Sequence, residues 1–185
     1  VKHIYIVRHC KAEGQEADAP LTPAGMEQAE LLARFLSNKK IDAIISSPFK
    51  RACQSVQPLS GRIGIGISVD ERLQERMLSH PGRPEWRDML RLTFDDLHLC
   101  YEGGESSYAA MERAACVVAE ALNSEKQHIV VVSHGNLIAL LLKHFDSRIG
   151  FETWEAMSNP DVFHLSFREN KPSVQRIWEG GLNGN

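Results

Sequence analysis

The sequence predicts an α/β sandwich built on a mostly parallel sheet, and three observations carry that expectation. Short apolar, β-branched runs recur at "IYIV" (4–7), "IDAIISS" (41–47) and "HIVVVS" (128–133), each suited to a buried strand. Helical patterns stand between them, and strands that alternate with helices pair in parallel. The chain then closes on "DVFHLSF" (161–167) and "SVQRIW" (173–178), joined by the "RENKP" turn, which adds one antiparallel edge.

The elements follow in order. After the first strand, "LTPAGMEQAELLARFLSNK" reads as a helix with Thr22 as N-cap and Pro23 at the first helical position. Ala29, Leu32, Ala33 and Leu36 form its inner stripe. "PFKRACQSVQPLSG" reads as a second helix that opens on Pro48, and "GISV" (66–69) as a short strand. Residues 70–104 differ: they are rich in Arg, His, Pro and acid, with only a short helical pattern around Trp86 to Leu97. That stretch is too short to stand alone, so it is expected as an excursion from a single domain spanning 1–185. "ESSYAAMERAACVVAEALNSEK" (105–126) reads as a long amphipathic helix capped by Ser106 or Ser107, and "GNLIALLLKHF" as a largely buried one. The "GGLNGN" end is expected to fray.

Composition narrows the function classes. A formal net charge of −3 argues against general nucleic-acid binding, so affinity for an anion must come from a local cluster of cations. Cys10, Cys53, Cys100 and Cys116 show no C-x-x-C pair and no metal-type spacing, which fits reduced thiols and a cytoplasmic location. The longest apolar runs, "IVVV" and "LIALLL", are too short to span a bilayer, and no charged-then-apolar leader is seen. The sequence opens on Val1 rather than Met, and strand pattern that starts at once is expected to leave little room for a missing element. Oligomeric state is not readable.

In an open parallel sheet, ligands bind beyond the carboxyl ends of the strands. After the first strand come Arg8, His9 and Cys10; after the second, "SSPFKRACQS" sets Arg51 about one turn into a helix; after the fourth, "SHGN" sets His134 at a helix start. Any one of these alone is more commonly a solvated or satisfied residue. Two arginines and two histidines on one rim suit a phosphoryl group. One neutral imidazole can attack phosphorus, the other can donate to its oxygens, and the rest is positioning and charge stabilisation. A thiolate mechanism needs arginine six residues beyond the cysteine, and here Glu16, Leu59, Ser106 and Leu122 stand there. His3 and His9 lie on the same strand, and His98, His128, His144 and His164 have no partner at ligand spacing with an acid, so neither metal nor cofactor is expected.

"VRHC", "PLTPAGMEQA", "SSPFKRACQS", "LQER", "GGES" and "VVVSHGN" together, in this order, resemble the histidine phosphatase (phosphoglycerate mutase-like) superfamily. The resemblance implies a three-layer α/β/α fold and a covalent phosphohistidine intermediate. It implies His9 as nucleophile, with Arg8, Arg51 and His134 as the phosphate clamp. It also implies Glu75 as proton donor to the leaving oxygen, with Glu71 and Glu85 as alternatives. Cys10 stands where the family usually has glycine, and the thiol is expected either to shift the backbone slightly or to line the pocket. Mutases of the family generally carry longer segments that close over the substrate. The short excursion leaves a site open to water, which favours hydrolysis of a small phosphorylated substrate. Asn136, after "SHG", keeps mutase-type transfer as an alternative, and a non-catalytic phosphate-binding regulator is a third. Arg72, Arg76, Arg83 and Arg87 suggest a further anionic group on the substrate, or else a solvated face.

Overall fold

In the computed structural model, which describes residues 1–179, the three apolar runs are neighbouring strands. They are β1 (Lys2–Arg8), β2 (Ala43–Ser46) and β4 (His128–Ser133), joined by the short β3 (Ile67–Val69) in the order β3-β2-β4-β1. All four pair in parallel, and β1 runs beside β4 from His3↔His128 to Arg8↔Ser133. Their charged and polar ends therefore finish side by side. A hairpin of β5 (Asp161–Arg168) and β6 (Lys171–Arg176) completes the sheet, with β5 antiparallel to β1. The reversed strand thus lies inside the sheet. β6, at the edge, runs with the parallel strands, so the expected antiparallel edge is one strand further in.

Alternation along the strands explains why the runs are unbroken. Ile4, Ile6, Ile129 and Val131 bury against one helical layer, and Tyr5, Val7, Val130 and Val132 against the other. The first layer holds α4 (Ser107–Asn123) and α5 (Gly135–Phe145), with α3 (Trp86–Asp95) and α6 (Phe151–Ala156) beside them. The second holds α1 (Pro23–Leu36) and α2 (Lys50–Ile63). The result is the three-layer α/β/α arrangement. Among the described residues, no helix is long and apolar enough to cross a membrane.

Helix starts show local chemistry at work. Thr22 Oγ1 accepts the Gly25 N–H at 2.9 Å with Pro23 first in α1, a cap worth about 1 kcal/mol. Ser106, not Ser107, caps α4, accepting the Ala109 N–H at 3.1 Å, and the helix is shorter than the pattern suggested. Pro48 is not the first residue of α2. The Phe49 N–H donates to Ser47 Oγ at 3.3 Å and the Lys50 N–H to Ala17 O at 2.9 Å, so residues 48 and 49 belong to the loop. Helix α6 was not anticipated: six residues are too few to show a period. The "GGLNGN" end lies outside the described residues.

The 70–104 excursion leaves β3 through a 3-10 turn, Glu71–Leu73, and carries α3. It is fastened to the end of β4 and to α4. Ser133 Oγ donates to Leu73 O at 2.7 Å, and Arg113 Nη1 donates to Arg72 O and Gln74 O at 2.6 and 2.8 Å. The second glycine of "GGES" permits its return: a Cβ on Gly104 would stand 2.2 Å from Leu78 O.

Candidate active site

His9 follows β1, and its Nδ1 lies 2.7 Å from Cys10 O. A carbonyl only accepts, so Nδ1 carries the proton and Nε2 keeps its lone pair. Arg51 Nε donates toward that nitrogen at 3.3 Å. Burial pushes the His9 imidazole down to about 4, opposed by the backbone bond and helped by Arg51 and Arg8. The ring is therefore neutral at ordinary pH.

His134 is the residue before α5, its ring 5.1 Å from that of His9, centroid to centroid. Ser47 Oγ, just past β2, lies 2.8 Å from His134 Nε2 while accepting the Phe49 N–H. The hydroxyl proton has no other acceptor among the described residues, so it goes to Nε2, which assigns the imidazole proton to Nδ1. That Nδ1 is buried and bonded to no protein group. Burial, His9 and the two arginines all hold His134 well below the usual imidazole range.

Arg51 is buried and Arg8 half-buried, and both are only partly satisfied. Arg51, 2% exposed, donates to Glu16 O at 2.7 Å and lies over the Phe49 ring at 5.0 Å. Arg8 donates to Met157 O at 3.3 Å, while its Nε is buried without a protein partner. Burial lowers both guanidinium groups from their ordinary value, and Glu75 opposes the shift in each. Gly135 gives Arg8 its room, since a Cβ there would come within 3.0 Å of the guanidinium.

Glu75 completes the pocket from the excursion. Its Oε2 accepts the Asn136 N–H at 3.0 Å, and Oε1 accepts the Leu137 and Arg76 N–H groups at 2.8 Å each. The carboxylate thereby caps the start of α5 and is fixed in orientation. Glu71 is exposed in the 3-10 turn, and Glu85 pairs at 3.8 Å with Arg83; neither lines the pocket.

These groups surround a pocket of about 130 Å³, lined by Arg8, His9, Arg51, Glu75 and His134 with Asn159 at its edge. That is room for a phosphoryl group and little else. Unpartnered N–H groups and two cations converging on a lone pair form a seat for a tetrahedral anion beside a nucleophile. All five residues singled out from the sequence meet here.

Three participants were not anticipated. Ser47 reaches His134 because β2 lies beside β4, a neighbour relation invisible in local pattern. Asn159 Nδ2 donates to His9 O at 2.9 Å, brought there by the antiparallel pairing of β5 with β1. Gln15, from the loop after β1, lines both this pocket and the cleft next to it. Its polar type alone gave no signal.

Two expectations are corrected. Cys10 does not line the pocket: its N–H donates to Ser55 Oγ at 2.8 Å, its carbonyl serves His9, and its side chain is buried with the α1–α2 core. Burial pushes that thiol up to about 12. The excursion arginines do not gather at the site. Arg72 is engaged by Asp70 and Glu120, Arg83 by Glu85 and Arg87 by Glu155. Arg76 is buried on Thr93, Ser107 and Glu105 O. Among the described residues, no group of three His, Cys, Asp or Glu side chains converges in a way that could hold a metal ion.

Known proteins are similar to this chain in sequence and fold. A putative phosphoserine phosphatase 2 of Hydrogenobacter thermophilus is 32% identical over 155 residues, covering 75% of each chain. A glucosyl-3-phosphoglycerate phosphatase of Mycolicibacterium vanbaalenii is 28% identical over 168 residues, covering 76% of this chain and 72% of that protein. A mycobacterial glucosyl-3-phosphoglycerate phosphatase solved in complex with inorganic phosphate has a TM-score of 0.79 at 26% identity, with 97% of both chains covered. The pattern of the histidine phosphatase superfamily (branch 1) matches residues 4–179. With both imidazoles and both arginines at the strand ends, and that match over nearly its whole length, the chain belongs to the histidine phosphatase superfamily.

Proposed function

We propose that the chain is a phosphomonoesterase that works through a phosphohistidine on His9 and needs no metal. The observation that carries this is the lone pair of His9 Nε2, free of a proton and facing the donors of Arg8, Arg51 and His134. Nε2 attacks phosphorus and the P–O bond to the alcohol breaks, while Glu75 takes up the proton of the phosphate monoanion and passes it to the departing oxygen. The N–P bond forms as the Cys10 carbonyl steadies the charge that develops on the imidazolium. Arg8, Arg51 and the His134 Nδ1–H neutralise the equatorial oxygens. Water then attacks the phosphohistidine, Glu75 takes back a proton, and inorganic phosphate leaves.

The named relatives support a small phosphorylated metabolite as substrate. We read the chain as one domain, with 70–104 as its substrate-side excursion. Four unpaired thiols support a cytoplasmic setting.

Hydrolysis of p-nitrophenyl phosphate in excess EDTA tests the mechanism. Turnover is expected in the chelator and is expected to fall by about 10³-fold or more in His9→Ala. Equal turnover by the variant overturns the phosphohistidine. Transfer of the phosphoryl group to a second metabolite in place of water would instead mark a mutase.

A further inference from the structure

Beside the phosphate pocket, and sharing Arg8, Gln15 and Glu75 with it, is a cleft of about 470 Å³. Its walls are Trp86 and Leu90 from α3, Leu78 from the excursion and Trp154 from α6. The two indoles meet edge to face with centroids 6.0 Å apart, yet Trp86 remains 47% exposed. A large aromatic side chain left open on the wall of a reaction cleft points to a ligand that covers it.

The charges there are as telling. Arg8 is the one cation and Glu75 the one acid among the described residues lining this cleft. Arg8 belongs to the phosphate. Of the cations nearby, Arg87 is paired with Glu155, Arg91 lies over the Phe151 ring at 4.8 Å, and Lys11 lines the phosphate pocket rather than this cleft. A carboxylate on the leaving group would stand beside Glu75 with no cation of the cleft wall other than Arg8 to receive it. The Asn136 side chain, 7% exposed, also borders the cleft, and its Oδ1 is bonded to no protein group.

We propose that this cleft selects monoesters whose leaving alcohol carries a flat, uncharged ring, with an N–H or O–H on its edge for Asn136. The proposal rests on the phosphomonoesterase reading above. It sets this chain apart from relatives named for phosphoserine and glucosyl-3-phosphoglycerate.

The experiment compares kcat/KM for 2-phenylethyl phosphate, glycerol phosphate and O-phosphoserine. All three are alkyl esters, so leaving-group activation is similar and the cleft decides. The phenylethyl ester is expected to lead both others by about tenfold or more, the scale of one good aromatic contact plus its burial. Trp86→Phe should keep that lead within about threefold. Trp86→Arg should cut it about tenfold and raise O-phosphoserine. Equal kcat/KM for the three esters, or a lead that survives Trp86→Arg, overturns the proposal while leaving the phosphomonoesterase intact. Failure of the wild type on every ester, p-nitrophenyl phosphate included, overturns that underlying reading and this one with it.

Discussion

Histidines cluster at two places on this sheet, and the contrast between them separates a site from a packing solution. At the carboxyl ends of β1 and β4, His9 and His134 are buried among arginines, with donors left unpartnered. Toward the amino ends of the same strands, His3 stacks on His128 at 4.7 Å and on His164 at 5.0 Å. His164 in turn stacks on Tyr5 at 5.0 Å. In this second cluster His3 Nδ1 and His164 Nε2 lie 2.8 Å apart and satisfy one another, while His128 Nδ1 is buried without a protein partner. Lowered imidazole basicity occurs at both ends, for His3 and His164 as for His9. Desolvation alone therefore does not mark function. Convergent cations around a nucleophile do.

The widest expected gap is between His9→Ala and His164→Gln. The first should abolish turnover as stated above, whereas the second should stay within about twofold of wild type. A large loss in His164→Gln, measured on folded protein, would erase the distinction between the clusters. Next comes Arg51→Met, which keeps the volume but removes the fork. Its kcat/KM is expected to fall about 10²–10³-fold, the usual cost of a donor that meets transition-state charge. Gly135→Ala tests the seat of Arg8 and should raise KM about tenfold with little change in kcat, because its methyl pushes on a group that binds phosphate throughout.

The smallest effect is on acid stability. His3 and His164 are both lowered, first by burial, so the unfolded chain binds more protons as pH drops below the ordinary imidazole value. Stability should thus decline from pH 7.5 to 5.0, and the decline should be smaller in His164→Gln, read as the shift in urea midpoint. At the other end, the titration of His9 should appear in activity. The acid limb of kcat/KM, corrected for substrate ionisation, is expected at about 4 rather than at the ordinary imidazole value.

Much of this is legible in the sequence alone. β4 and α5 occupy the residues that their apolar runs marked, and Thr22 and Pro23 start α1 as their chemistry requires. The four strand-end residues were legible because the carboxyl ends of parallel strands are defined by the strands themselves. What stayed hidden depends on neighbours distant in sequence. Ser47 matters through β4, Asn159 through β1, and the Trp86–Trp154 wall through the packing of α3 against a helix too short to read. The excursion arginines misled because counting charge does not reveal which carboxylate already holds it, as Asp70 and Glu120 hold Arg72.

One hydroxyl has a mechanical consequence. Ser55 Oγ accepts the Cys10 N–H and donates to Arg51 O at 2.7 Å, so the residue whose carbonyl orients His9 is tied to the helix turn that carries Arg51. If the α1–α2 layer drifts against the sheet on warming, the attacking nitrogen and its guanidinium travel as one body. Their separation is preserved until the layer itself comes away. Turnover should accordingly climb with temperature up to the melting transition and then collapse with it, with no gradual detuning beforehand.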